Sequence, residues 1–217
     1  MQPGTRYPAE PLTREEMLRL FGVLSPTTTA GLRNRALLAV LYRCGLRVGE
    51  ALALRPVDVD LEAGTVRVLH GKGDKARTVG MDFATCSMIA DWLKRRALLG
   101  LNGSAPIFCT RTRRGMHRDC VNAMLRSAAR RAGIERRIHA HGMRHTHACE
   151  LAREGVPMNV IQQQLGHSSL STTAVYLAHL QPQQVIDAIR GRDWRVPQPG
   201  DPLTRTGTDA PESKPPE

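Results

Sequence analysis

The chain has 217 residues, 41% of them hydrophobic and only 4% aromatic, with 31 Lys+Arg against 20 Asp+Glu for a net charge of +11. That length holds one good-sized domain or two small ones around an aliphatic core, and it excludes a small disulfide-stapled scaffold and a chain too polar to fold. No stretch approaches 18 apolar residues and the N-terminus has no apolar signal region, so a membrane-spanning or exported protein is not expected; the five scattered cysteines (Cys44, Cys86, Cys109, Cys120, Cys149) form no CxxC pair and read as reduced thiols of a cytoplasmic protein.

Residues 1–11 carry three prolines and no periodicity, and read as a flexible leader. Thr13 followed by Glu16 makes a capping-box helix start, with Met17, Leu18, Leu20 and Phe21 as its apolar face. A second helix is expected from Gly31 to Tyr42, where ALLAVLY is apolar nearly all round and therefore buried. Gly45 breaks it, and Leu46-Arg47-Val48-Gly49-Glu50 opens a short helix ending near Leu54, before Pro56. Period-two alternation then predicts strands at Val57–Leu61 and Thr65–Leu69, with a turn at Gly71-Lys72-Gly73-Asp74 and a returning strand from Ala76 to Val79.

Helices are expected again at Phe83–Leu99, containing Trp92, and at His117–Ala132, rich in arginine, with the short apolar piece Pro106-Ile107-Phe108 between them. Further helices follow near 141–154, 157–165, 171–180 and 182–190. From Val196 onward the chain holds six of its fourteen prolines and no apolar run, and residues 196–217 read as a disordered tail. The expected fold is mainly α with a small antiparallel β-sheet (α+β), forming one domain over residues 12–195. Because the tail holds more acidic than basic residues, the positive charge belongs to the domain, and a polyanion, nucleic acid first of all, is the expected partner.

Residues 139–179 concentrate the chemistry. They place histidines and arginines on successive helix starts upstream of a single phenol, Tyr176, a set suited to binding an anion and attacking it. Two weaker matches fail. HGKGDK lacks the GxxxxGK[ST] spacing of a phosphate loop, and His117-Arg118-Asp119 has no glycine-rich loop or DFG beside it. His139, His141, His145 and His147 include a pair at zinc-compatible spacing, but no acid stands inside it and Arg144 between them repels a cation, so no metal is expected.

Arg47, Lys72, His141, Arg144, His167 and Tyr176, taken together, give a more specific pattern. The boxes CGLRVGE (44–50), GKGDKAR (71–77) and HGMRHTH (141–147), the last leading to LGHSSLSTT (165–173) and Tyr176, strongly resemble the tyrosine recombinase (phage integrase) family over about residues 12–190. The resemblance implies a site-specific DNA recombinase that needs no metal or cofactor. Tyr176 would attack a DNA phosphodiester and form a 3′-phosphotyrosyl bond. Arg47, Arg144 and His167 would hold the non-bridging oxygens, Lys72 would protonate the leaving 5′-oxygen, and His141 would assist proton transfer at the tyrosine. Glu50, one turn after Arg47, would support that guanidinium. Lys75, Arg77, Arg126, Arg130 and Arg131 are expected to contact DNA, with Arg136 and Arg137 extending the same basic surface, or else to be solvated charge; His145 and His147 are left to packing or DNA contact.

The implied partners are double-stranded DNA and further copies of the chain, as a tetramer on two DNA sites, with the helix at 182–190 docking into a neighbour; a helper DNA-binding protein is a further candidate. Two departures stand out. Only about eleven residues precede the first helix, as in the short members that invert promoter segments, whereas most members carry a second DNA-clamping domain. Gly142-Met143 replaces a bulkier pair, and is expected to loosen the start of the helix bearing Arg144. The alternatives are a non-catalytic DNA-binding regulator or relic on the same fold, and a type IB topoisomerase that reseals the strand it cuts.

Overall fold

The computed structural model describes residues 10–69, 76–101, 105–110 and 112–166. The chain divides by its contacts into residues 1–180 and 181–217, and every described residue belongs to the first unit. Seven helices and a three-stranded antiparallel sheet make up the described part, in the order α1 (Arg14–Gly22), α2 (Thr29–Arg43), α3 (Val48–Ala53), β1 (Val59–Asp60), β2 (Thr65–Val68), β3 (Arg77–Gly80), α4 (Phe83–Leu98), α5 (Arg118–Arg131), α6 (Ala140–Arg153) and α7 (Met158–Leu165). The fold class is the α+β arrangement that the periodicities predict. The expected helices at 171–180 and 182–190 and the tail 196–217 lie outside the described residues.

α2 is the centre. Ala36 through Tyr42 are buried without interruption, as an all-round apolar helix must be, and α4 and α6 pack against it. α1 starts as its capping box dictates: Thr13 Oγ1 accepts from Glu16 N–H at 3.2 Å and Glu16 Oε2 accepts from Thr13 N–H at 2.8 Å. Thr13→Ala is accordingly expected to cost about 1 kcal/mol in urea-induced unfolding, the usual worth of an exposed cap.

The leader assignment needs correcting at its end. Arg136 pairs with the Glu16 carboxylate and donates to the backbone carbonyls of Glu10 and Pro11 at 2.9 Å each, while Leu12 N–H donates to Thr146 Oγ1 at 3.0 Å. Glu10 and Pro11 therefore belong to the folded body, and Arg136 clips the chain's start and α1 to the segment between α5 and α6 rather than forming part of a DNA-facing surface.

The first strand is shorter than the alternation at Val57–Leu61 suggests. Pro56 opens a single 3-10 turn, and the Asp58 carboxylate closes it by accepting from Arg55 N–H at 2.9 Å. Only Val59–Asp60 remains to pair with β2, in the register Val59↔Val66. β2 pairs with β3 so that Val66 faces Val79 and Val68 faces Arg77. Val66, Val68 and Val79 form the buried face. In α4, Trp92 is buried and its indole N–H donates to Ile107 O at 3.0 Å. Ile107 N–H donates in turn to Leu54 O at 2.7 Å, so the apolar piece at 106–108 is a buried tie between α4 and α3.

Candidate active site

Arg47 stands at the N-cap of α3, the position where backbone N–H groups lack helical partners. Glu50, three residues on, returns its carboxylate to that end: Oε2 accepts from Arg47 N–H at 2.9 Å and Oε1 from Arg47 Nη1 at 2.7 Å. The i,i+3 contact inferred from spacing is therefore present. Its second partner is 27 residues away: Arg77 Nη1 and Nη2 donate to Oε1 and Oε2 at 3.0 and 2.8 Å. Burial alone would raise the Glu50 pKa, but hydrogen bonds from Arg77 and from the backbone and side chain of Arg47 outweigh it and hold the carboxyl at about 2.

Arg144 on α6 is fully buried, an unusual place for a guanidinium, and it bridges two segments. Nη1 donates to Gly45 O and Nη2 to Leu165 O, both at 2.6 Å. Gly45 lies two residues before Arg47, and Leu165 two residues before His167. The end of α7 is also fastened to the sheet, because the Gln164 side-chain amide exchanges two hydrogen bonds of 3.0 Å with the backbone of Gly80. Three sequence-distant boxes thus converge on the end of α7, at Gln164 and Leu165. Lys72, Lys75, His167 and Tyr176 themselves lie outside the described residues.

The α6 start is organised by a residue that sequence reasoning considered only as a metal ligand. His139 is the N-cap, and its Nδ1 accepts from Gly142 N–H at 3.1 Å, which places the ring proton of the neutral form on Nε2. Its ring stacks on His141 with centroids 6.4 Å apart and planes 8° from parallel. The loosening expected from Gly142-Met143 is not what the structure shows: Gly142 supplies the capped amide and Met143 is fully buried. Loss of solvent around His141, then the charges of Arg144, His139 and Arg47, push its pKa below the ordinary imidazole value. A neutral His141 is suited to accept a proton.

The DNA-contact candidates separate. Arg126, Arg130 and Arg131 are exposed along α5, as is Arg137 beyond it. Arg77 is instead turned inward on Glu50 with 11% of its side chain exposed, a correction to its assignment as a phosphate contact or solvated charge. His145 and His147 are both buried, which removes them from any DNA-facing surface. Among the described residues no group of three or more His, Cys, Asp or Glu is placed to hold a metal ion, and no helix is long and apolar enough to cross a membrane.

His147 carries a cost that appears at acid pH. Both of its ring nitrogens are buried without a hydrogen-bond partner among the described residues. Burial, then the charges of Arg43 and Arg144, push its pKa down to about 4. The unfolded chain takes up this proton near its ordinary value of 6.5, so the associated stability is complete above that pH and is lost as pH falls through 4. The window is worth at most ~3 kcal/mol. Urea unfolding should show a decline between pH 7 and pH 4.5 that His147→Gln flattens; equal slopes would refute it.

The Phage integrase family profile matches residues 10–183. A tyrosine recombinase XerD of Ralstonia nicotianae is 38% identical over 152 residues, covering 67% of this chain and 48% of that protein. A tyrosine recombinase XerC of Halalkalibacterium halodurans is 35% identical over 185 residues, covering 82% of this chain and 60% of that one. Among solved structures, the XerA recombinase superposes with a TM-score of 0.74 at 30% identity, over 86% of this chain and 66% of that chain. The XerH site-specific recombinase, bound to a palindromic difH substrate, gives 0.69 at 28% identity over 82% and 52%. The chain spans about half the length of the Ralstonia relative.

Proposed function

We propose, from the premise that this chain belongs to the Phage integrase family, that it is a site-specific DNA recombinase acting through Tyr176. The observation that carries the reading is the frame around Arg144. One buried guanidinium joins the loop before Arg47 to the residues before His167, so that cationic groups from both ends of the chain serve one place. Arg47 would fork onto the non-bridging oxygens of a DNA phosphate, where charge builds in the transition state, and Arg144, whose two arms hold Gly45 O and Leu165 O, would add its charge behind them. His167 would add a hydrogen bond to them. The Tyr176 oxygen would form the new bond to phosphorus as the bond to the 5′-oxygen breaks. Lys72 would give that oxygen its proton, and His141 would take the proton of the phenol.

The choice of phenol is supported by the state of another. A phenol with an ordinary pKa of about 10 lies roughly 4 kcal/mol from its ionised form at pH 7, so a nucleophile needs cations and a base around it. Tyr42 has the opposite surroundings: it is buried and donates to Glu150 Oε1 at 2.5 Å, which raises its pKa well above the ordinary value. It is a tether between α2 and α6, unsuited to attack.

XerH, which is 28% identical to this chain, is solved on DNA in a post-cleavage complex, and this supports double-stranded DNA as the partner. Assembly of four copies on two sites follows from strand exchange itself, which needs two cuts on each duplex; a helper DNA-binding protein is a further candidate partner. Trapping on nicked suicide duplexes drawn from DNA flanking the gene tests the reading. A denaturation-resistant protein–DNA band with wild type and none with Tyr176→Phe supports it. The same band with both proteins would overturn the assignment of the nucleophile. Relaxation of supercoiled DNA without strand exchange would point to topoisomerase chemistry.

A further inference from the structure

Arg77 stands where two guanidinium groups share one carboxylate. Glu50 is buried, and an ionised carboxylate offers about four acceptor positions. All four are taken: Oε1 by Arg47 Nη1 at 2.7 Å and Arg77 Nη1 at 3.0 Å, and Oε2 by Arg47 N at 2.9 Å and Arg77 Nη2 at 2.8 Å. Arg47 therefore spends a single side-chain N–H on Glu50. Its remaining N–H groups have no hydrogen-bond partner among the described residues, and 30% of the side chain is exposed.

We propose that Arg77 is a positioning residue for Arg47: by filling half of the Glu50 carboxylate it keeps Arg47 from closing onto that carboxylate as a bidentate pair, and so leaves the Arg47 fork and its charge for a phosphate. Without Arg77, two acceptor sites open beside a guanidinium whose preferred partner is a planar carboxylate taken with both arms. Arg47 would then be turned inward and its charge offset by Glu50. With Arg77 present, two positive groups share one negative group and a unit of positive charge remains.

Arg77 is itself held from a third side. Its Nε points at Gln164 O at 3.4 Å, and Gly166 passes so close that a Cβ there would meet its Cδ and Nε at 2.7 Å. Lysine could not replace it, because a single ammonium cannot cover both carboxylate oxygens.

The inference rests on the reading of Arg47 as a phosphate ligand. Inorganic phosphate is the probe, titrated into the full chain while the Arg47 Nε–H resonance, assigned through Arg47→Lys, is followed by NMR. Arg77→Ala is expected to shift that resonance and weaken phosphate binding at least fivefold, and the double variant Arg77→Ala/Glu50→Gln to regain most of the loss. Losses that add instead, or an Arg77→Ala variant that binds like wild type, would overturn the proposal. If Arg77→Ala does not fold, the comparison of Glu50→Gln with the double variant decides. Binding within twofold supports an action through Glu50, and a further fivefold loss refutes it. Covalent trapping separates this inference from the recombinase reading. Arg77→Ala trapping DNA as fast as wild type sinks the inference alone, whereas an Arg77-dependent phosphate site in a chain that never traps DNA sinks the reading alone.

Discussion

Arg144→Lys is expected to lower the rate of covalent complex formation on a nicked duplex about a thousandfold, the upper range for losing one preorganised donor to a transition-state oxygen. It is expected to weaken the fold at the same time. The guanidinium donates to two carbonyls on different segments, Gly45 O and Leu165 O at 2.6 Å each, from a side chain with 1% exposure. A lysine carries one ammonium and no planar fork, so at least one buried carbonyl loses its donor at a cost of about 1–3 kcal/mol. The two effects are read separately, by trapping kinetics and by urea unfolding. Lys94→Arg on the exposed face of α4 is the control, expected to change trapping less than twofold because it keeps its charge and lies outside the candidate DNA contacts. An Arg144→Lys variant that traps DNA within tenfold of wild type would remove Arg144 from the chemistry and leave it a bracket between loops.

The parts of this site that could be read from the sequence are those whose partners lie within a turn or a strand of each other. Glu50 supports Arg47 because three residues along a helix start bring them together, and period-two alternation gives β2 and β3 to within one or two residues. The burial of α2 follows from an apolar run too continuous to have a solvent face. The links between the boxes could not be read in this way. Arg77 reaches the Glu50 carboxylate across 27 residues, and Arg144 reaches Gly45 across 99, through a backbone carbonyl of the kind every residue owns and no side-chain pattern advertises.

His139 was hidden for a different reason. Ser, Thr, Asp and Asn are the usual helix caps, so a histidine among three others suggests a metal before it suggests a cap. The signal that was available is its place three residues before the amide it accepts from, at a helix start. Arg126, Arg130 and Arg131 differ again: the arginine content of α5 is visible, and their exposure follows from the apolar stripe Val121, Leu125 and Ala128 on the opposite side.

Gly45→Ala is expected to cost about 4 kcal/mol in urea unfolding, the sum of a left-handed backbone at ~1–2 kcal/mol and an overpacked core at ~1–3 kcal/mol. Gly45 has φ of +63°, and a Cβ built on it would lie 2.7 Å from His147 Cδ2 and 2.7 Å from Leu165 Cδ2. Neither neighbour has open space to retreat into, because His147 is buried and Leu165 packs in the small core with Ala148, Cys149 and Ile161. The loop must move instead, and it carries the carbonyl that Arg144 holds and the backbone leading to Arg47. Gly100→Ala supplies the reference. Its φ is +65°, almost the same, but nothing lies within 4 Å of its added Cβ, so only the backbone term of ~1–2 kcal/mol applies. The difference between the two variants measures the packing at the junction of Gly45, His147 and Leu165, free of the conformational cost they share. A difference near zero would mean that the junction yields easily, and a frame that yields could not hold Arg47 and Arg144 in register for a phosphate.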